Sequence, residues 1–114
     1  MKISCEDIIK KYNLEYSTKW NTYCLHLYEN HIINFFEIKQ NDYFVRNKIE
    51  WDVIPLITGR KTVRIKIPNY FYIVNTEELD SHIKNLYCQF TELAETIKRI
   101  KEFNNLKDIE DDFV

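Results

Sequence analysis

Residues 75–103, NTEELDSHIKNLYCQFTELAETIKRIKEF, decide the architecture. Leu79, Ile83, Leu86, Phe90, Leu93, Ile97 and Ile100 recur at alternating spacings of four and three, which places their side chains on one stripe of an α-helix. Asn75 and Glu78 open the segment as a capping box, in which the Asn75 side-chain oxygen accepts from an orphan N–H of the first turn. Glu77, Glu78 and Asp80 also suit the positive end of the helix macrodipole. The pattern predicts one helix over residues 76–103, stopped by Asn104 and Asn105. Residues 106–114 follow as an acidic tail with Leu106, Ile109 and Phe113 as apolar anchors.

Upstream of this helix the period changes from 3.6 to two. Tyr23, Leu25 and Leu27 alternate with Cys24, His26 and Tyr28, and residues 32–38 are dense in β-branched and aromatic side chains, so residues 22–38 predict a hairpin turning at Glu29, Asn30 and His31. A second turn at Lys39, Gln40, Asn41 and Asp42 leads into residues 43–48. Ile49, Trp51 and Val53 then alternate with Glu50 and Asp52, as one bent strand with residues 43–48 or as a separate one. Pro55 ends that run because it has no N–H for a ladder, and Thr58, Gly59 and Arg60 supply glycine turn chemistry. Residues 61–67 place Val63, Ile65 and Ile67 opposite Thr62, Arg64 and Lys66. A last strand, residues 70–74, carries apolar side chains on both faces, which predicts a central or covered position.

Ser4, Cys5, Glu6 and Asp7 form another capping box, and Ile8, Ile9 and Tyr12 give a short helix an apolar side, ended by Asn13. The whole reads as one α+β domain over residues 1–114: a short N-terminal helix, an antiparallel sheet of four to five strands, and one long C-terminal helix packed across the sheet. A helix of about 28 residues spans about 42 Å, beyond the roughly 30 Å of so small a domain. The stripe is therefore either core along its length or, where it overhangs, a dimer seam formed by Phe90, Leu93, Ile97 and Ile100. Monomer and homodimer both satisfy it.

Composition removes several chemistries. One Gly and two Pro in 114 residues exclude a phosphate-cradling glycine loop and a dinucleotide fingerprint. Phe, Tyr, Met, Ile, Asn and Lys make up 55 residues against eight Gly, Ala, Arg and Pro, the bias of an AT-rich genome. Cys5, Cys24 and Cys88 lack the paired spacing of a zinc ribbon or a disulfide scaffold. The charged N-terminus lacks a signal-peptide core, and no run approaches about 18 apolar residues. A cytoplasmic protein without cofactor or metal is expected.

The net charge of −2 hides a change of sign along the chain: residues 39–74 carry +4 and residues 75–114 carry −5. Arg60, Lys61, Arg64 and Lys66 cluster on one hairpin, with Trp51, Tyr70 and Tyr72 as candidate stacking surfaces for single-stranded nucleic acid. The same pattern serves an acidic protein partner or a solvated, edge-protecting face. Asp108, Glu110, Asp111, Asp112 and Phe113 form an acidic candidate for partner binding.

Cys24 and His26 share a strand face, His31 lies past the turn, and His82 and Cys88 lie on the long helix. Convergence of these groups would make a zinc site or a thiol–base pair, but no C-x-x-C or H-x-x-x-H spacing supports it, and Cys88, beside the stripe, reads as a small core residue. Glu50 with Asp52 and Asp111 with Asp112 are carboxylate pairs of the frequency expected by chance.

The functional expectation is a small non-catalytic binding protein, a phage or mobile-element inhibitor of a host nucleic-acid-handling machine of the CRISPR or restriction type. Its partner would be a larger protein or ribonucleoprotein. The alternative is a nucleic-acid-binding regulator using the basic hairpin, and the third possibility a Cys/His enzyme.

Overall fold

A computed structural model describes residues 4–28, 31–66 and 71–112, with side chains of the last helix described through residue 108. Along the chain lie α1 (Cys5–Lys11), β1 (Glu15–Ser17), β2 (Thr22–Tyr28), β3 (His31–Lys39), β4 (Asp42–Arg46), β5 (Glu50–Pro55), β6 (Lys61–Lys66), β7 (Phe71–Val74) and α2 (Thr76–Asp112). Five strands form an antiparallel sheet in the order β1-β2-β3-β4-β7, and β5 and β6 form a separate two-stranded ribbon. The α+β arrangement is the one expected; the turn residues Glu29 and Asn30, and Ile67, Tyr70 and Phe113, lie outside the described residues.

Local chemistry accounts for the short helix. Ser4 Oγ accepts from the Asp7 N–H at 3.2 Å, and the far end closes as a Schellman motif: Leu14 N–H donates to Ile9 O, Asn13 N–H to Lys10 O, and Asn13 takes the left-handed conformation at φ 57°. Leu14 is buried against the core, as the motif's hydrophobic contact requires. The β3–β4 turn has Gln40 and Asn41 at positive φ between the paired residues Lys39 and Asp42, the geometry that matches the twist of a two-residue hairpin.

One irregularity shapes the core. Tyr23 pairs with Phe36 and Cys24 with Asn34, which leaves Phe35 as an extra residue in β3. A regular strand sends neighbours to opposite faces, yet Phe35 and Phe36 are both fully buried. The bulge thus lets two successive rings enter the core: Phe35 meets Phe90 of α2 edge-on, and Phe36 stacks on Tyr23. Leu79, Ile83, Leu86 and Leu93 of the helical stripe complete it.

Three expectations are corrected. Asn104 and Asn105 do not stop α2, which runs 37 residues, through Asp112; Asn104 instead spends its amide on the Lys61 backbone, accepting from its N–H and donating to its C=O at 2.9 Å. An interior Asn costs a helix well under about 1 kcal/mol, which two hydrogen bonds offset. The segment read as a tail is therefore a helical extension as far as Asp112. The strand expected to be central or covered, β7, pairs among the described residues with β4 alone at the sheet edge, and Ile73 on it is 61% exposed.

The basic hairpin is not part of the main sheet. Arg46, at the end of β4, donates from Nε to Lys48 O at 3.0 Å and from Nη2 to Lys66 O at 3.3 Å, and Ile49 N–H donates to Gln89 Oε1 of α2 at 2.7 Å. These bonds tie the base of the ribbon where chain enters and leaves it. From there the ribbon runs along α2 to its tip, where Asn104 holds Lys61 and Arg60 pairs with Asp108. Gly59, at φ +86°, closes the tip turn. A 37-residue helix spans about 55 Å, and the molecule measures 60 × 25 × 23 Å. The expected overhang exists, and the chain's own ribbon lies along it.

Candidate protein-binding groove

The pleat of the ribbon sorts its residues into two faces. Trp51 pairs with Ile65 and Val53 with Val63, and Trp51, Val63 and Ile65 pack toward the core. The other face is a ladder of ion pairs: Asp52 takes Arg64 at 3.2 Å and Lys66 at 3.5 Å, and Glu50 takes Lys48 at 2.5 Å. Arg64 and then Lys66 hold the Asp52 carboxyl below the usual carboxylate range, and Lys48 does the same for Glu50. At the tip Arg60 pairs with Asp108, and the Lys61 ammonium sits 4.4 Å from the centre of the Phe103 ring.

The basic, aromatic-flanked surface expected from the sequence is not assembled. Arg60 meets Asp108, and Arg64 and Lys66 share the one carboxylate of Asp52, so part of their charge is already engaged. Trp51 stands on the opposite face of the ribbon from Arg64 and Lys66. Tyr72 belongs to the other sheet, its hydroxyl 2.5 Å from His82 Nδ1 of α2. Of the acidic set, Asp108 is engaged by Arg60, while the side chains of Glu110, Asp111, Asp112 and Phe113 lie outside the described residues. Of the seam candidates, Leu93 is fully buried, Phe90 is partly buried against Phe35, and Ile97 and Ile100 face the ribbon.

The Cys and His residues are likewise dispersed. Cys24 is buried and its thiol is pushed up by desolvation, whereas His26 is exposed, 2.7 Å from Glu15. His31 stacks on Tyr28. Cys88 is exposed rather than a core residue, because two residues past Leu86 it has turned about 200° from the stripe. Among the described residues no three His, Cys, Asp or Glu side chains come together as metal ligands, and no helix is long and apolar enough to cross a membrane.

What the fold does build is a continuous groove along the ribbon. Between β6 and the distal part of α2 is a half-open space of about 570 Å³ with Val63, Ile97 and Ile100 as its apolar lining and Arg60, Lys61 and Lys101 as cations at its margin. It continues past Tyr28 and Val63, which line both parts, into a space of about 370 Å³ between β6 and the start of β3, where Ile33 and Ile65 meet His31, Arg46 and Arg64. Among the described residues no Asp or Glu lines either space. Arg46 is 4% exposed and makes no ion pair with a carboxylate among the described residues. Its surroundings pull the guanidinium pKa down by desolvation.

Sequence reasoning did not identify Tyr28, Arg46, Lys101 or Asn104 in this place. Arg46 and Asn104 carried a weak signal as polar side chains in an apolar strand and a helix. The chain matches no protein-family model, no curated protein and no solved structure.

Proposed function

We propose that this is a small, non-catalytic binding protein that acts in the cytoplasm by docking a larger protein in the groove between the ribbon and α2. The observation that carries this reading is the groove's composition: an apolar lining of Val63, Ile97 and Ile100 bordered by Lys61, Lys101 and the Arg60–Asp108 pair. An apolar centre with a polar rim is the anatomy of an interface that desolvates its middle and keeps its edge wet. Pairing of Arg60 with Asp108 and of Arg64 and Lys66 with Asp52 lowers the charge the ribbon offers a phosphate backbone, which favours a protein over nucleic acid. The AT-rich composition fits a phage or mobile element as source, and the narrower reading is an inhibitor of a host nucleic-acid-handling complex.

Affinity purification from cells that make the protein tests this. Ile100→Asp with Lys101→Glu, which places two acids in the groove, is expected to lose a discrete co-purifying protein by tenfold or more, on the order of the cost of a buried unpaired charge. Lys66→Glu, on the outer face and outside the lining of both spaces, is expected to retain it. Retention by the groove variant, or salt-sensitive oligonucleotide binding lost with the outer-face variant, contradicts the proposal.

A further inference from the structure

The part of the groove between β3 and β6 is bounded by two open strand edges. Lys61 turns both its N–H and its C=O away from β5, toward Asn104. In an antiparallel ladder residues two apart share that direction, so Val63 and Ile65 offer their backbone groups along the same edge, and among the described residues β6 has no strand partner but β5. Opposite, residues 31–34 of β3 pair with β2 on one side. On the other side the ladder with β4 begins only at Phe36. Among the described residues nothing pairs with either edge across the space.

Arg46 stands at the end of that slot. Its Nε and Nη2 are used by two backbone carbonyls, and among the described residues no carboxylate meets it. A guanidinium so buried is normally matched by a carboxylate, because carbonyl dipoles alone recover only part of its lost hydration. Arg64, which pairs with Asp52 on the outer face, also reaches the slot, and among the described residues no acid lines it.

Building on the reading of the groove as a protein-binding surface, we propose that the slot between β3 and β6 receives an extended, carboxylate-bearing segment of the partner. Its backbone pairs with the open edge of β6, and its carboxylate meets Arg46. Strand addition supplies the main-chain hydrogen bonds, and the alternating pockets of a pleated edge supply side-chain selection. Val63, Ile65 and Ile33 favour apolar side chains on either side of the acid. Nucleic acid fits less well: the slot is lined by aliphatic side chains, and Tyr28 with His31 is its one aromatic pair.

The test selects from a displayed library of random octapeptides on the full chain, then titrates the synthetic winner into ¹⁵N-labelled protein. Winners are expected to carry one Asp or Glu flanked by β-branched residues and to shift the amide resonances of Val63 and Ile65. The matching Asn or Gln peptide is expected to bind at least about tenfold more weakly, and methylation of alternate peptide nitrogens to abolish binding. Because these changes are made in the peptide, they leave the fold of the protein untouched. Winners without an acid, full binding by the N-methylated peptide, or shifts of these amides by an octathymidine alone overturn the inference. If it falls while Ile100→Asp with Lys101→Glu still loses a co-purifying protein, the protein-binding reading stands without it.

Discussion

Phe35→Ala is expected to destabilise the fold by about 3–5 kcal/mol, the cost of deleting a fully buried ring whose site cannot collapse. For a chain of this length that lowers Tm by roughly 10–20 °C, measured by thermal unfolding followed by circular dichroism. The size of the effect comes from the bulge. Phe35 is the unpaired residue of β3, fully buried and in edge contact with Phe90, so its removal opens a void between the sheet and the middle of α2. Phe103→Ala provides the contrast, since Phe103 is 38% exposed and outside the core cluster; its change is expected within about 1 kcal/mol. Comparable Tm values for the two variants would contradict the placement of Phe35.

Arg46→Ala is expected to cost about 2–4 kcal/mol by two routes. It removes a buried aliphatic stem, and it strips the Lys48 and Lys66 carbonyls of their donors at the base of the ribbon. Arg46→Met separates them: it keeps most of the stem and eliminates the desolvation cost of the charge, so it is expected to lose less stability than the alanine variant. Both variants are expected to speed amide exchange along β6, because the ribbon is tied to the sheet at that residue. Unchanged exchange in β6 with either variant would mean that the ribbon is held elsewhere.

The parts of this fold legible from sequence are those fixed by short-range chemistry. The α2 stripe, the caps at Ser4 and Asn75, the turn at Gln40 and Asn41 and the alternation in β6 each depend on residues within a few positions, and each is present. The failures are long-range. Asn104 resembles a helix stop because its side chain competes with the backbone, and only the distant Lys61 gives that amide another use. The apolar residues on both faces of β7 resemble a covered strand, yet period alone does not distinguish a covered face from an exposed one, and Ile73 is exposed.

The candidate site failed to appear for the same reason. Counting cations on the hairpin could not reveal that Asp52 engages both Arg64 and Lys66 and that the distant Asp108 engages Arg60. Nor could the strand pattern reveal that Arg46, nominally one residue of a five-residue strand, would be buried under the ribbon without a carboxylate. Both facts follow from where β5 and β6 leave the sheet and lie along α2. The dimer-seam expectation has a similar origin: the heptad spacing is real, and much of it is occupied within one chain.

Photo-cross-linking in cells that make the protein tests the groove most directly, with benzoylphenylalanine placed in turn at Thr62 and Lys101 within it, at Glu95 on the opposite side of α2, and at Ile73 on the β7 edge. A discrete adduct with one protein from Thr62 and Lys101, absent from Glu95 and Ile73, is the expected result. The same adduct arising from Ile73 or Glu95 and missing from both groove positions would contradict the assignment of the groove as the binding surface.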